Sequence, residues 1–225
     1  GNAALTREVA QLLLGAGLLE KALTLYRKLA QSADPAKRID ALYDLSRLEE
    51  QGDHLREAGA ALREGMAQLH FRDWRYRQFF QRLVKLHERF DQLAARKAEL
   101  LKAAAGPPRE KARADVAQFA ELTVDAEEHI RWLRELVAQF PEAMEYRWQL
   151  VTVLVDHEGW EEAGKLLDSQ LRNDGSDPPA LILLRCLVDL RAGHEENATQ
   201  RLKRTLGAQA PAGSNPDVEK QLLAF

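Results

Sequence analysis

Residues 17 to 26 read Gly17-Leu18-Leu19-Glu20-Lys21-Ala22-Leu23-Thr24-Leu25-Tyr26, a tight turn followed by an amphipathic helix. A glycine at this place can adopt the left-handed conformation that ends one helix before the next begins. Apolar residues then recur at steps of three and four, which places them on one helical face. Such a face must be buried against another element, so we expect this helix to be one half of a helical pair.

The small residue in the first turn of this helix returns along the chain. It is found, with one larger replacement, at Ala22, Ala58, Ala94, Ile130, Ala163 and Ala198. The steps between these positions are 36, 36, 36, 33 and 35 residues, which is typical of helical repeat proteins. A coiled coil would instead keep a seven-residue pattern without turns. We expect the five alanines to be buried where the second helix of each unit meets the first.

Glycines and prolines mark the ends of the repeating units. Glycines that we expect to take the left-handed conformation are Gly17, Gly52, Gly159 and Gly193, and the closing prolines are Pro35, Pro107, Pro108, Pro141, Pro178 and Pro179. Each unit is therefore predicted to contain helix A, a short turn, helix B and a loop. The six units cover approximately 4–35, 36–72, 74–107, 109–141, 143–177 and 179–213, and 216–225 begins a further helix.

This pattern resembles the tetratricopeptide repeat, a helical pair with large, small and aromatic residues at fixed places. The first unit carries the resemblance in Val9, Ala10, Leu13, Gly17, Leu19, Ala22, Tyr26 and Leu29. The fifth carries it in Leu150, Val151, Leu154, Trp160, Ala163 and Leu167. The third and fourth units diverge, and Arg134 stands where an aromatic residue is expected. The resemblance implies an all-α fold, a right-handed α-solenoid of about six repeats forming a single domain over residues 1–225.

The two ends of the sequence are apolar. A solenoid normally protects its terminal helices with polar faces, yet residues 5–14 and 216–225 carry several leucines and other apolar residues. We therefore expect this chain to be part of a longer repeat protein.

The composition gives no sign of a polyanionic partner or a membrane. The 225 residues hold 32 basic and 35 acidic side chains, a net charge of −3, so nucleic-acid binding is not expected. The longest apolar runs are too short for a transmembrane segment, so no membrane insertion is predicted. The single cysteine, Cys186, lies among leucines and is predicted to be a buried core residue. The cytoplasm and the periplasm both remain open as the compartment.

No catalytic or metal-binding motif occurs in the sequence. The H-E-x-x-H, G-x-S-x-G and phosphate-loop patterns are absent. His54, His157 and His194 stand beside acidic residues, but in turns of different units that a solenoid would hold apart. We expect no enzyme activity, no metal and no cofactor.

Arginines alternate with aromatic residues over 70–82, His70-Phe71-Arg72-Asp73-Trp74-Arg75-Tyr76-Arg77-Gln78-Phe79-Phe80-Gln81-Arg82. Three interpretations fit this segment. It packs one repeat on the next with arginines over aromatic edges, it forms a protein-binding patch, or it stacks nucleic-acid bases. Packing is the interpretation that we favour from the sequence.

The resemblance also implies a function and a surface. Proteins with this repeat bind peptides on the concave face formed by helix A of successive units. Carried onto this sequence, the implied groove residues are Arg7, Gln11, Tyr43, Arg47, Tyr76, Phe79, Trp148 and Thr152. The expected role is a non-catalytic scaffold for a peptide or partner protein. The alternative is a repeat module of a larger enzyme or nucleic-acid-binding regulator, which the full-length gene would distinguish.

Overall fold

The computed structural model describes residues 3–107, 109–171 and 177–209. Every regular element in those ranges is an α-helix. The helices are α1 (Ala3–Gly15), α2 (Leu19–Leu29), α3 (Pro35–Gln51), α4 (Leu55–Ala67), α5 (Trp74–Arg89), α6 (Leu93–Ala104), α7 (Glu110–Leu122), α8 (Ala126–Gln139), α9 (Met144–Asp156), α10 (Trp160–Asp168), α11 (Pro179–Arg191) and α12 (Glu195–Gln209). None of the described helices combines the length and apolar character needed to cross a membrane.

The chain divides into two compact units, residues 1–123 and 124–225. Unit 1 contains α1 to α7, and each of these helices packs on the next along the chain. Unit 2 contains α8 to α12, which pack in the same serial way. The predicted fold class is confirmed, because paired helices packed in chain order form a tetratricopeptide-like α-solenoid. The further helix predicted at 216–225 lies outside the described residues.

The turns between helix A and helix B share one backbone feature. Each holds a residue with positive φ, between 56° and 79°, namely Gly17, Asp53, Asp91, Val124, Glu158 and Gly193. The prediction was correct for Gly17 and Gly193. It was wrong for Gly52 and Gly159, whose φ angles are −81° and −78°.

At those two turns the left-handed residue is instead an acidic neighbour. Asp53 follows Gly52, and Glu158 precedes Gly159. The next residue along closes the turn, because the His54 and Gly159 amides donate to the Glu49 and Leu154 carbonyls at 2.7 Å. This bond spans five residues and satisfies a carbonyl at the end of helix A, so the turn geometry recurs without a glycine at a fixed place.

Four of the five repeat alanines are buried as predicted. Ala22, Ala58, Ala163 and Ala198 are at most 1% exposed. Ala94 is exposed, so that prediction was wrong. The reason is a shift of register. The alanines of α2, α4 and α10 lie four residues after the N-cap residue, whereas Ala94 lies only two residues after Gln92, the N-cap residue of α6. The equivalent position is therefore Arg96.

Enlarging a buried repeat alanine should destabilise the fold. Ala58→Leu and Ala163→Leu each add three carbons to a closed contact, and we expect each to cost about 1–3 kcal/mol of unfolding free energy. Ala94→Leu is the matched control, since its side chain points to solvent and the change should be within about 0.5 kcal/mol of zero. Urea denaturation of the three variants measures this. Equal stability of Ala94→Leu and Ala58→Leu would contradict the helix register that buries Ala58 and exposes Ala94.

Candidate partner-binding groove

An open groove of about 200 Å³ lies in unit 1 between α1, α3 and α5. We call it the A-helix groove, because these are the first helices of the first three repeats. Its lining residues are Arg7, Ile39, Asp40, Tyr43, Asp44, Trp74, Arg75, Gln78 and Phe79. One residue comes from α1, four from α3 and four from α5, so the serial stacking of helix A creates the groove.

Aromatic side chains form the apolar wall of the groove. The rings of Tyr43 and Phe79 meet edge to face, with centroids 5.1 Å apart. Phe79 is only 2% exposed and presses on α4, where a Cβ added to Gly65 would lie 2.1 Å from its Cε1 atom. Trp74 is 67% exposed at the first position of α5. The wall therefore combines a fixed ring, a half-buried ring and an indole open to solvent.

The rim of the groove carries charges of both signs. Arg7 Nε lies 3.5 Å from Asp44 Oδ2, and Arg75 Nη2 lies 2.8 Å from Asp73 Oδ2. Burial raises the pKa of Asp44, and the nearby Arg7 acts in the opposite direction. Asp40 is exposed beside them. A ligand in this groove thus meets donors and acceptors as well as apolar surface.

Seven of the eight sequence-predicted groove residues fall into three groups. Arg7, Tyr43 and Phe79 lie together in the A-helix groove. Gln11 and Arg47 are exposed one helical turn beyond Arg7 and Tyr43 on the same helices. In unit 2, Trp148 is 40% exposed on α9, and Thr152, one turn further, is exposed and donates to the Trp148 carbonyl.

Tyr76 does not belong to the surface. Its side chain is 1% exposed, and its hydroxyl lies 2.9 Å and 3.1 Å from the carboxylate oxygens of Asp115 on α7. Lys111 Nζ lies 2.6 Å from the same hydroxyl. Burial and the Asp115 charge raise the pKa of Tyr76. Tyr76 therefore joins α5 to α7 and offers no surface to a partner.

The arginine–aromatic segment 70–82 largely serves packing. Its arginines pair with carboxylates in the ion pairs Arg72–Glu110, Arg75–Asp73, Arg77–Glu121 and Arg82–Glu50. Tyr76, Phe79 and Phe80 are buried. Trp74 is the large apolar residue that this segment exposes, and sequence reasoning did not separate it from its neighbours. The only available signal was its place directly after the capping residue Asp73.

His54 and His194 lie near acidic side chains, and Cys186 lies in the core. His54 Nδ1 lies 2.9 Å from Oε2 of buried Glu49, and the nearest approach of His194 Nδ1 to Asp189 is 4.0 Å. Cys186 is 3% exposed, as predicted, and burial raises the pKa of its thiol. In the described part of the chain no three His, Cys, Asp or Glu side chains are grouped to hold a metal ion.

Neither a protein-family model nor a curated protein sequence matches this chain. Similar solved structures include a tetratricopeptide repeat protein from Parabacteroides merdae, 18% identical over 99% of this chain and 83% of that chain, TM-score 0.40. MamA from Desulfovibrio magneticus is 14% identical over 93% and 96%, TM-score 0.37. The type IV pilus biogenesis factor PilW is 13% identical over 99% and 98%, TM-score 0.46.

Proposed function

We propose that unit 1 is a non-catalytic scaffold that binds a peptide or partner protein in the A-helix groove. The observation that carries this proposal is the exposed indole of Trp74 beside the partly buried Tyr43 and the buried Phe79. Trp74 is 67% exposed and adjoins the aromatic wall, so the exposed apolar surface is gathered in one groove, which is typical of an interaction site. Tryptophan, tyrosine and arginine are also the residues most enriched at interface hot spots.

The groove is built to be rigid before a partner arrives. Phe79 is held against the α4 backbone at Gly65, and Tyr43 is held between Phe79 and the Arg82 guanidinium, 5.9 Å from its ring centre. Side chains that are already ordered lose little entropy on binding, so more of the contact energy appears as affinity. The partner best suited to this surface has an apolar side chain for the aromatic wall and polar groups for the rim.

A second exposed apolar surface occurs on the A helices of unit 2. Trp148 on α9 and Leu183, Leu187 and Leu190 on α11 are 40% to 58% exposed. The three leucines recur at steps of four and three, which places them on one face of α11. We propose that this leucine face extends the partner-binding role to unit 2.

Single changes in the groove should weaken binding without disturbing the fold. We expect Trp74→Ala and Tyr43→Ala each to raise the Kd of a partner by about fivefold or more, equivalent to about 1 kcal/mol, as interface anchors do. Arg47→Ala changes the exposed position one helical turn beyond Tyr43, and we expect it to raise the Kd by a similar factor. Isothermal titration calorimetry with a partner captured from the native cell measures the change.

The control for these variants is Lys102→Ala. Lys102 is exposed on α6, the second helix of the third repeat, and belongs neither to the groove nor to the α11 leucine face. It should bind the partner with the wild-type affinity, and circular dichroism should show equal helicity in all variants. Unchanged affinity in both Trp74→Ala and Tyr43→Ala would refute the groove as the binding surface.

A further inference from the structure

A second cavity of about 240 Å³ lies in unit 1, between α4, the end of α5 and the beginning of α6. Its lining residues are Leu55, Arg56, Gly59, Arg63, Leu86, His87, Phe90 and Gln92. It shares no residue with the A-helix groove. We call it the arginine pocket, because two arginines and no carboxylate line it.

The two arginines of this pocket differ from those of the 70–82 segment. Arg56 and Arg63 are exposed on one side of α4, two helical turns apart, with Gly59 between them. Among the residues that the structure describes, neither has a carboxylate within ion-pair distance. Two guanidinium groups that have no carboxylate partner among the described residues form a local site of positive potential, within a chain whose net charge is −3.

The floor of the pocket holds one guanidinium next to apolar surface. Arg63 Nη1 lies 3.4 Å from the position that a Cβ of Gly59 would occupy, and Leu86 Cδ2 lies 3.5 Å from it. The missing side chain of Gly59 therefore lets the Arg63 head group lie close to the helix, beside buried Leu86. Leu55 and Phe90 complete the apolar part. His87 Nδ1 is engaged by the Leu83 carbonyl at 2.7 Å, so only its Nε2 is available to a ligand.

We propose that the arginine pocket binds an acidic segment of a partner protein. A carboxylate of that segment pairs with Arg56 and Arg63, and a neighbouring aliphatic or aromatic side chain packs on Leu55, Leu86 and Phe90. Planar guanidinium groups suit carboxylates because they donate two parallel hydrogen bonds. The apolar floor beside the two arginines favours a peptide over a nucleic acid, whose phosphates need a broader basic surface.

Fluorescence anisotropy with defined peptides tests the pocket on the whole chain. The probes are labelled pentapeptides with four glutamates around one leucine or one phenylalanine, together with analogues in which glutamine replaces glutamate or glycine replaces the apolar residue. We expect the glutamate peptides to bind, more weakly as salt increases, and both analogues to bind at least tenfold more weakly.

Variants of the two arginines assign the binding to this pocket. The double variant Arg56→Glu/Arg63→Glu should raise the Kd of the glutamate peptides at least tenfold. The milder double variant Arg56→Gln/Arg63→Gln should also weaken their binding. Arg191→Glu, an exposed arginine of unit 2, is the control and should leave the affinity unchanged. The proposal is overturned by absence of peptide binding, by equal binding to the double variants, or by a labelled single-stranded oligonucleotide that binds more tightly through the same arginines.

Discussion

Arg185→Met will lower the unfolding free energy of unit 2 by about 3 kcal/mol, because it leaves a buried carboxylate without its main partner. Asp189 is fully buried, and its Oδ1 atom lies 2.5 Å from Arg185 Nη1. The same guanidinium bonds Asp168 at 2.9 Å and 3.0 Å and lies over Gly164, 3.1 Å from the place of a Cβ. Arg201 would then remain as the arginine that contacts both carboxylates, with His194 Nδ1 4.0 Å from Asp189. Urea denaturation followed by circular dichroism measures the loss.

The electrostatics of Asp168 act in the same direction. Burial opposes its ionised form, yet hydrogen bonds and charge from Arg185 and Arg201 together hold its pKa below the ordinary value. The ion pair between α10 and α11 therefore favours the charged carboxylate, and removing Arg185 takes away its largest favourable contribution.

Two further variants separate charge from packing. Arg191→Met changes an exposed arginine of the same helix and should alter stability by no more than about 0.5 kcal/mol. Arg185→Met combined with Asp189→Leu removes both buried charges and should recover a large part of the loss. A loss below about 1 kcal/mol in Arg185→Met alone would show that Asp189 does not depend on Arg185.

Phe79→Ala should cost unit 1 about 3–5 kcal/mol, the range for truncating a buried aromatic residue. The ring is 2% exposed and fills the space between Tyr43 and the α4 backbone at Gly65. Trp74→Ala, five residues earlier on the same helix, removes a larger ring that is 67% exposed, so it should cost less than about 1 kcal/mol. Thermal and urea unfolding of the two variants gives the comparison.

Gly65→Ala provides the reciprocal test. In the wild-type chain the new methyl group would overlap the Phe79 ring, since its nearest atom is 2.1 Å away, and we expect a loss of stability. In the Phe79→Ala background the overlap is gone, and alanine should stabilise α4 because it is the better helix former. If Gly65→Ala changed the stability in the same direction in both backgrounds, the direct contact between Gly65 and the Phe79 ring would be contradicted.

The sequence predicted the fold well because the repeat step fixes where each helical pair begins and ends. The apolar periodicity and the turn glycines placed the helix pairs, and four of five repeat alanines are buried. Ala94 failed because the third turn ends later than the others, as the left-handed Asp91 stands 38 residues after Asp53. A shift of two residues in a turn rotates the following helix by about half a turn, which moves a buried position to the surface.

The candidate site was harder to predict than the fold. The repeat register placed Arg7, Tyr43 and Phe79 on one surface, and they lie in one groove. The same register could not separate buried Tyr76 from exposed Trp74, because Asp115, the partner of Tyr76, lies 39 residues away and comes close only in the folded chain. The arginine pocket also had no sequence signal, since unpaired arginines can be recognised only once their neighbours are known.

Photo-crosslinking in the native cell tests the central claim, that the A-helix groove binds a protein, most directly. A photoreactive phenylalanine analogue is placed at Trp74 in the groove or, as a control, at Ala98, which is exposed on helix B of the third repeat. The groove position is predicted to give a discrete crosslinked protein that is lost when Tyr43 is also changed to alanine, and the control position is predicted to give none. Crosslinking of the same protein from Ala98 but not from Trp74 would contradict the groove as the binding surface.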